Sequence, residues 1–189
     1  MGKNFLNNLW ETIKILILAL VIVLPIRYFI FQPFLVKGIS MEPSFYNGDY
    51  LIVDEISYYF RDPERGEVIV FHYPKDESQR FIKRVIGLPK EKVYISNNKI
   101  YIITNDERVL EFSSFDSSFF SQIDKNAFYK NFKNDIKVIN LGENEYFVMG
   151  DNRTKSFDSR NWGAVFRKEI IGRVILRLWP INNITYFGK

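Results

Sequence analysis

The pattern of hydrophobic and polar positions divides the chain into two parts. Near its start, the run Ile15–Ile26 contains no charged residue, and apolar character continues to Phe31. Together these residues are long enough to cross a bilayer, whose hydrocarbon core needs about 20 mainly apolar residues. Arg27 lies close to one end, where its head group can reach the interface. We therefore predict a transmembrane anchor over residues 13–31, preceded by a short segment at residues 1–12.

A cleaved secretory signal peptide is the alternative interpretation of this apolar run. The short basic start fits it in part, but the residues after Ile26 are large and no small-x-small cleavage pattern follows them. Pro25 is tolerated in a membrane helix and is expected to kink it near its end. The pattern therefore favours an uncleaved anchor.

Beyond the anchor, short runs of β-branched and aromatic residues alternate with turn residues, which is typical of β-strands. Turn residues at Asn47–Asp49 and Arg65–Gly66 separate the runs, and no long amphipathic helical pattern competes with them. The stretch 105–135 differs, since it is rich in Ser, Phe, Asp and Lys. We predict a mainly β domain over residues 32–189, with a small subdomain inserted at 105–135. The predicted strands lie at 50–53, 67–71, 80–86, 92–95, 99–103, 146–149 and 173–177.

Composition excludes several kinds of site. The 189 residues contain no cysteine, which removes disulfides, thiolate nucleophiles and cysteine-bound zinc. The single histidine, His72, argues against a histidine-built metal site, so we expect no metal. The net charge of +4 suits an anionic membrane surface, whereas the scattered Lys and Arg residues do not form the dense basic run typical of nucleic-acid binding.

A serine in a short motif after the anchor is the main candidate for chemistry. Ser40 lies in the segment Gly38–Ser44, a few residues beyond the apolar run. A serine hydroxyl is a weak nucleophile until a neighbouring base takes its proton, so a serine hydrolase needs such a base. His72 lies at the end of a predicted strand before Pro74, and the sequence places no acidic residue to orient its imidazole. This position favours a structural or solvent-facing histidine, which leaves a lysine as the other candidate base.

Lys83 has a predicted environment that suits such a base. In an extended strand its side chain shares one face with Phe81 and Val85, while Arg84 points to the opposite face. Burial between apolar groups lowers the pKa of a lysine from its ordinary value of about 10.4, which allows the neutral amine to act as a base. The alternative is a surface lysine whose stem packs between two hydrophobic side chains while its amine stays in water.

Three segments, in this order, resemble the motifs of bacterial type I signal peptidases, which are Ser/Lys endopeptidases. They are Gly38–Ser44, Phe81–Pro89 and Gly150–Arg160. The resemblance covers most of the chain outside the predicted insertion. It implies that Ser40 is the acylating nucleophile and that Lys83 is the general base.

The same resemblance implies supporting roles. Ser156 is expected to hydrogen-bond the lysine amine and orient it, and Asp158 and Arg160 to form an ion pair that braces their loop. Some relatives have a serine two residues before the nucleophile, where this chain has Gly38. The oxyanion hole at Gly38 and Ser40 is therefore expected to depend on backbone N–H groups, that of Ser40 first. The implied substrate cleft beside the nucleophile is apolar and shallow and admits small side chains. Its implied lining residues are Phe34, Val36, Met41, Phe45, Phe81 and Ile82.

An architecture and a location also follow from the resemblance. It implies an antiparallel β-sheet catalytic domain on a single-pass anchor in the bacterial inner membrane, with residues 1–12 cytoplasmic and 32–189 extracytoplasmic. The basic residues that flank the anchor are nearly balanced, so charge alone does not fix this orientation. The expected partners are preprotein signal peptides with small residues at the cleavage site, and membrane lipid, but not nucleic acid. Two alternatives remain open: a self-cleaving Ser/Lys repressor-type protease, and a membrane-anchored β module that only binds lipid or peptide.

Overall fold

The described chain begins with a long helix, and its other main elements are strands. A computed structural model describes residues 2–25, 31–96, 99–112, 120–126, 128 and 136–188. Helix α1 (Gly2–Pro25) carries exposed apolar side chains, among them Ile15, Leu18 and Val21. Across the ranges just given, no helix combines the length and the apolar character needed to cross a membrane. Residues 26–30 of the predicted anchor lie outside the described residues.

All seven strands predicted from the sequence are present, and the described residues form six further strands that were not predicted. Two short helices, α2 (Ser57–Phe60) and α3 (Ser159–Trp162), interrupt them. The strands are β1 (Phe31–Leu35), β2 (Tyr50–Asp54), β3 (Val68–Tyr73), β4 (Asp76–Gly87), β5 (Lys92–Ser96), β6 (Lys99–Ile103), β7 (Val109–Phe112), β8 (Phe120–Ile123), β9 (Lys137–Asn140), β10 (Glu145–Met149), β11 (Val165–Phe166), β12 (Ile170–Trp179) and β13 (Thr185–Tyr186).

Two antiparallel sheets contain these strands. The larger sheet has the order β1-β2-β12-β3-β4-β10-β11, with β13 paired to β12, and the smaller sheet has the order β8-β7-β6-β5-β9. The predicted mainly β, antiparallel architecture is therefore confirmed. The smaller sheet runs from Lys92 to Asn140, so the predicted insertion at 105–135 supplies its strands β7 and β8, while β5, β6 and β9 come from outside it. Residues 113–119, 127 and 129–135 of the predicted insertion lie outside the described residues.

Strand β4 carries both core residues and site residues. Its side chains alternate between two hydrophobic clusters, with Phe81 and Val85 in one and Ile82 in the other. This alternation confirms the predicted faces of the strand. The consecutive residues Lys83 and Arg84 are only 4% and 9% exposed, so two basic side chains are buried on opposite faces of the strand. Buried charges need partners, and those partners define the site.

Candidate active site

Ser40 lies in the loop between β1 and β2, and these paired strands hold the two ends of the loop together. At the neck of the loop, the Val36 N–H donates to the Asp49 carbonyl at 2.9 Å. Within the loop, Met41 and Phe45 are fully buried and pack in the core of the larger sheet. These contacts fix the backbone that presents the half-buried Ser40.

Lys83 reaches Ser40 from β4. Its Nζ lies 2.7 Å from Ser40 Oγ and donates to the Ile82 carbonyl at 2.8 Å. Burial lowers the pKa of Lys83 to about 8, an effect that the nearby carboxylates of Asp158 and Asp151 partly oppose. A lysine with an appreciable neutral fraction near physiological pH therefore lies within hydrogen-bond distance of a serine hydroxyl.

An aromatic pair lies on one side of the Lys83 amine. The Lys83 Nζ lies 5.6 Å from the centroid of the Phe81 ring, which in turn stacks on Tyr73 with centroids 4.8 Å apart. Rings on this side exclude water from the amine, and loss of hydration disfavours its charged form. The apolar environment predicted for Lys83 from the alternation of β4 is thus the physical cause of its lowered pKa.

Arg84, the next residue on β4, anchors a second loop, which joins β10 to α3 and is here called the 150–160 loop. Arg84 and Asp151 form a buried ion pair with two contacts, Nη2–Oδ2 at 2.6 Å and Nε–Oδ1 at 2.9 Å. Removing one partner of a buried ion pair leaves an uncompensated charge, so the pair fixes the start of the loop firmly. Sequence reasoning assigned no role to this arginine. Its burial could not be predicted, because its position on the opposite face from Lys83 does not say what covers that face.

Further along the same loop, Asp158 is fully buried and forms an ion pair with Arg160, with Nε and Oδ1 2.8 Å apart. Arg160 Nη2 also donates to the Arg153 carbonyl at 2.7 Å. The Asn152 N–H donates to the Ser40 carbonyl at 3.0 Å. The 150–160 loop is therefore braced internally and bonded directly to the nucleophile loop.

Ser156 lies against Gly150 and not in hydrogen-bond contact with the lysine. Its Oγ is buried and has no hydrogen-bond partner within the described ranges. A Cβ built on Gly150 would lie 2.2 Å from Ser156 Oγ and 2.4 Å from the Ser40 carbonyl oxygen, so the glycine allows all three groups to approach closely. The structure thus brings Ser156 next to the nucleophile loop, while the Nζ of Lys83 is directed to Ser40 and Ile82.

The backbone at the expected oxyanion hole is constrained at Gly38. This residue has φ +91°, a conformation that residues with a Cβ rarely adopt. Its N–H donates to Asn47 Oδ1 at 2.9 Å and is therefore already engaged. The Ser40 N–H, by contrast, donates to no described residue. Of the two residues expected to form the oxyanion hole, Ser40 retains an available donor, and Gly38 shapes the chain leading to it.

A cleft of about 840 Å³ opens beside Ser40 and Lys83. Three of the six residues expected to line it do so, namely Phe34, Phe81 and Ile82. The other three, Val36, Met41 and Phe45, are no more than 2% exposed and belong to the core cluster, because the loop turns their side chains inward. Cleft residues that sequence reasoning missed are Pro33, Leu35, Lys37, Ile39, Ser78, Gln79, Arg80, Lys155 and Phe157. Most are immediate neighbours of motif residues, which is the signal that could have found them.

Carboxylates near the site are already balanced by cations. Asp151 and Asp158 are each paired with an arginine, Arg84 and Arg160 respectively. Groups of three or more His, Asp or Glu side chains that could hold a metal ion do not occur in the described part of the chain. The arrangement therefore offers a serine, a lysine and a backbone donor as its chemical groups.

Known proteins are similar in sequence to nearly the whole of this chain. A family model described as "Signal peptidase, peptidase S26" matches residues 9–179. A probable signal peptidase I-2 from Synechocystis sp. is 33% identical over 184 residues, covering 94% of this chain and 77% of the relative. Signal peptidase I P from Bacillus subtilis subsp. natto is 32% identical over 187 residues (97% and 96%), and signal peptidase I from Leptolyngbya laminosa is 35% identical over 189 residues (96% and 85%).

Among solved structures, a signal peptidase I from Enterococcus faecalis V583 is 25% identical, with a TM-score of 0.40, and the match covers 60% of this chain and 97% of that one. The family match and the curated relatives carry the assignment, because they extend from the first helix to the last long strand. They confirm the family that the three sequence motifs indicated. The chain therefore belongs to the type I signal peptidases of peptidase family S26.

Proposed function

We propose that this protein is a membrane-bound serine endopeptidase that removes N-terminal signal peptides from exported preproteins through a dyad of Ser40 and Lys83. The observation that carries the proposal is the 2.7 Å distance between Lys83 Nζ and Ser40 Oγ, at a lysine whose pKa burial lowers to about 8. A neutral amine at this distance can accept the hydroxyl proton, which is the requirement for a serine nucleophile.

The reaction follows from this geometry. Neutral Lys83 takes the proton from Ser40 Oγ as the oxygen attacks the scissile carbonyl carbon. The Ser40 N–H stabilises the oxyanion that forms, and Lys83 then gives the proton to the leaving amine. A water molecule, deprotonated by Lys83, attacks the resulting ester and releases the signal peptide with a free carboxylate. Asp158 and Asp151 stabilise the lysine while it carries the proton, since both favour its charged form.

Substrate selection is assigned to the cleft. Phe34, Phe81 and Ile82 give it an apolar wall beside the nucleophile. A shallow apolar wall accepts Ala, Gly or Ser and excludes larger side chains by overlap, which suits signal peptides with small residues at the cleavage site. No cofactor takes part in the proposed mechanism.

A rise of activity with pH is the direct test of the lysine base. Because only neutral Lys83 accepts a proton, kcat/KM of the free enzyme is expected to rise about tenfold per pH unit at low pH. It should level off above the pKa of Lys83, near 8. The measurement is kcat/KM for a signal-peptide substrate from mildly acidic to alkaline pH, with folding monitored by circular dichroism at each value. A flat profile in a folded enzyme contradicts the proposal.

The membrane part of the proposal concerns residues 13–31. We infer that they anchor the protein once in the bacterial inner membrane, with residues 1–12 in the cytoplasm and 32–189 on the extracytoplasmic side. The uncharged run Ile15–Ile26 and the exposed apolar side chains of α1 support this inference. A site that acts on signal peptides also benefits from lying at the bilayer surface, where its substrates emerge.

Removal of residues 1–30 tests the anchor while keeping β1, which begins at Phe31. The truncated protein is expected to keep its chemistry but to need detergent or lipid for full activity, because Leu35, Ile39 and Phe157 at the cleft are each at least 40% exposed. Cleavage of a soluble peptide is measured with and without micelles, and association is followed by light scattering. Full activity in plain buffer, without association, would argue against docking at a membrane surface.

A further inference from the structure

The smaller sheet contacts the 150–160 loop at two separate places. From β7, Phe112 presents its ring to Arg153, whose Cζ lies 4.0 Å from the ring centroid. From β9, Lys137 Nζ donates to the Arg160 carbonyl at 2.7 Å. Since β6 and β5 separate these strands, β7 and β9 lie about 14 Å apart in the sheet, at about 4.8 Å per strand spacing. The smaller sheet therefore contacts the loop at Arg153 and again at Arg160.

Inside the loop, the two contacted arginines are joined to each other and to the nucleophile. Arg160 Nη2 donates to the Arg153 carbonyl at 2.7 Å, and Arg160 pairs with the buried Asp158. The residue before Arg153 is Asn152, whose N–H donates to the Ser40 carbonyl at 3.0 Å. A displacement of Arg153 therefore reaches the backbone of Ser40 through the neighbouring residue, Asn152.

The ring of Phe112 gives the Arg153 cation a favourable contact. Burial, and then the charge of Arg160, lower the pKa of Arg153 to about 10, so the cation lies in an unfavourable environment. The face of an aromatic ring attracts a cation, and more strongly away from water. Phe112 is 5% exposed and belongs to the hydrophobic cluster shared by the two sheets, so its ring is itself fixed.

We propose that the smaller sheet acts as a clamp on the 150–160 loop, with Phe112 and Lys137 as positioning residues for the reaction of Ser40 and Lys83. This role rests on the proposed function, because it is defined by that reaction. Both residues act through the loop. Loosening the clamp weakens the bond between Asn152 and Ser40 and misorients the hydroxyl. It leaves Phe34, Phe81 and Ile82 of the cleft wall in place, because these lie on β1 and β4, whereas the loop itself supplies Lys155 and Phe157 to the cleft. The clamp therefore governs kcat more than KM.

The test uses the full chain in detergent micelles. Lys137→Met and Phe112→Leu each remove one contact of the clamp while keeping an apolar stem or side chain. Two matched controls are Phe112→Tyr, which keeps the ring face, and Lys99→Met, which removes a surface lysine of the same sheet that pairs with Glu111 at 2.9 Å. Each clamp variant is expected to lower kcat about tenfold with KM changed less than about twofold, and both controls to stay near wild type.

A second readout does not depend on peptide cleavage. The chain has no cysteine, so Ser40→Cys introduces a single thiol beside Lys83. The lysine cation holds the pKa of this thiol below its ordinary value of about 8.5, which speeds alkylation by iodoacetamide at neutral pH. The carboxylates that face Lys83 are Asp151 and Asp158, each paired with an arginine. Adding Lys137→Met is expected to slow alkylation at pH 7 about threefold, as the thiolate and Lys83 move apart.

The outcomes separate the clamp from the proposed function. Wild-type kcat and an unchanged alkylation profile in both Lys137→Met and Phe112→Leu would overturn the clamp. If Phe112→Leu does not fold, Lys137→Met decides alone, because Lys137 is exposed and its loss opens no cavity. Failure of the proposed function would give a different result, since the Ser40→Ala variant would then retain cleavage. In that case the alkylation profile still decides whether the clamp holds the loop.

Discussion

Ser40→Ala and Lys83→Ala are each expected to lower kcat for signal-peptide cleavage by about 10⁴-fold or more, with the fold retained. Without the hydroxyl no acyl-enzyme forms, and without the amine nothing accepts the hydroxyl proton across the 2.7 Å that separates the two groups. Because the two residues act as one unit, the double variant should be little worse than either single variant. Cleavage of a preprotein in detergent micelles measures the effect, and thermal unfolding confirms that each variant is folded.

Two further variants make this result specific. Lys83→Met keeps a side chain of similar length in the buried position and removes the amine, so it separates loss of the base from loss of packing. His72→Ala is expected to retain most activity, since His72 is at the end of β3 with Nδ1 2.7 Å from the Glu77 carbonyl oxygen. An inactive but folded His72→Ala variant would instead make the histidine the base and overturn the assignment of Lys83.

Local sequence pattern was sufficient to predict seven of the thirteen strands in the described residues, whereas the pairing of Ser40 with Lys83 was inferred from the three motifs. Alternation along β4 correctly assigned Phe81 and Val85 to one cluster and Ile82 to another. That is enough to predict an apolar environment for Lys83, because the neighbours that bury it lie two residues away in the same strand. The order of the three motifs indicated the family before any contact was known.

Long-range partners were beyond the reach of the same pattern. Alternation states which face a side chain occupies but not what packs against that face, so the pairing of Arg84 with Asp151 could not be predicted. Loops have no period, and the inward direction of Met41 and Phe45 is set by the closed neck of their loop. The smaller sheet pairs β5 to β8 in chain order and adds β9 beside β5, and no single run states that these strands form a sheet of their own.

Contacts made by loop residues are equally hidden from the sequence. The engagement of the Gly38 N–H by Asn47 joins residues nine positions apart through a side chain. The contact of Phe112 with Arg153 joins two sequence-distant segments, one of which lies within the predicted insertion. Such contacts become visible only once the backbone of both contacting segments is known.

Gly150→Ala is expected to lower kcat about 100-fold through displacement of the two loops, as misplacement of reacting groups by about 1 Å can do. Its Cβ would lie 2.2 Å from Ser156 Oγ, 2.4 Å from the Ser40 carbonyl oxygen and 2.6 Å from Ser156 Cβ. Ser156 can rotate its hydroxyl away, but the Ser40 carbonyl is backbone and is held by Asn152. The nucleophile loop and the 150–160 loop must therefore separate. KM should change less than kcat, because Phe34, Phe81 and Ile82 of the cleft wall lie on β1 and β4 and not on either loop.

Gly163→Ala is the matched control for this prediction. Gly163 has φ +100°, and a Cβ added there would meet no atom within 4 Å, so alanine strains the backbone without pushing on either loop. We expect Gly163→Ala to lower the melting temperature while kcat stays near wild type, and Gly150→Ala to lose kcat at a temperature where both variants are folded. Wild-type kcat in Gly150→Ala would show that the close approach of Ser156, Gly150 and Ser40 does not set the geometry of the reaction. Equal loss of kcat in both variants would show that general stability, and not that approach, limits the enzyme.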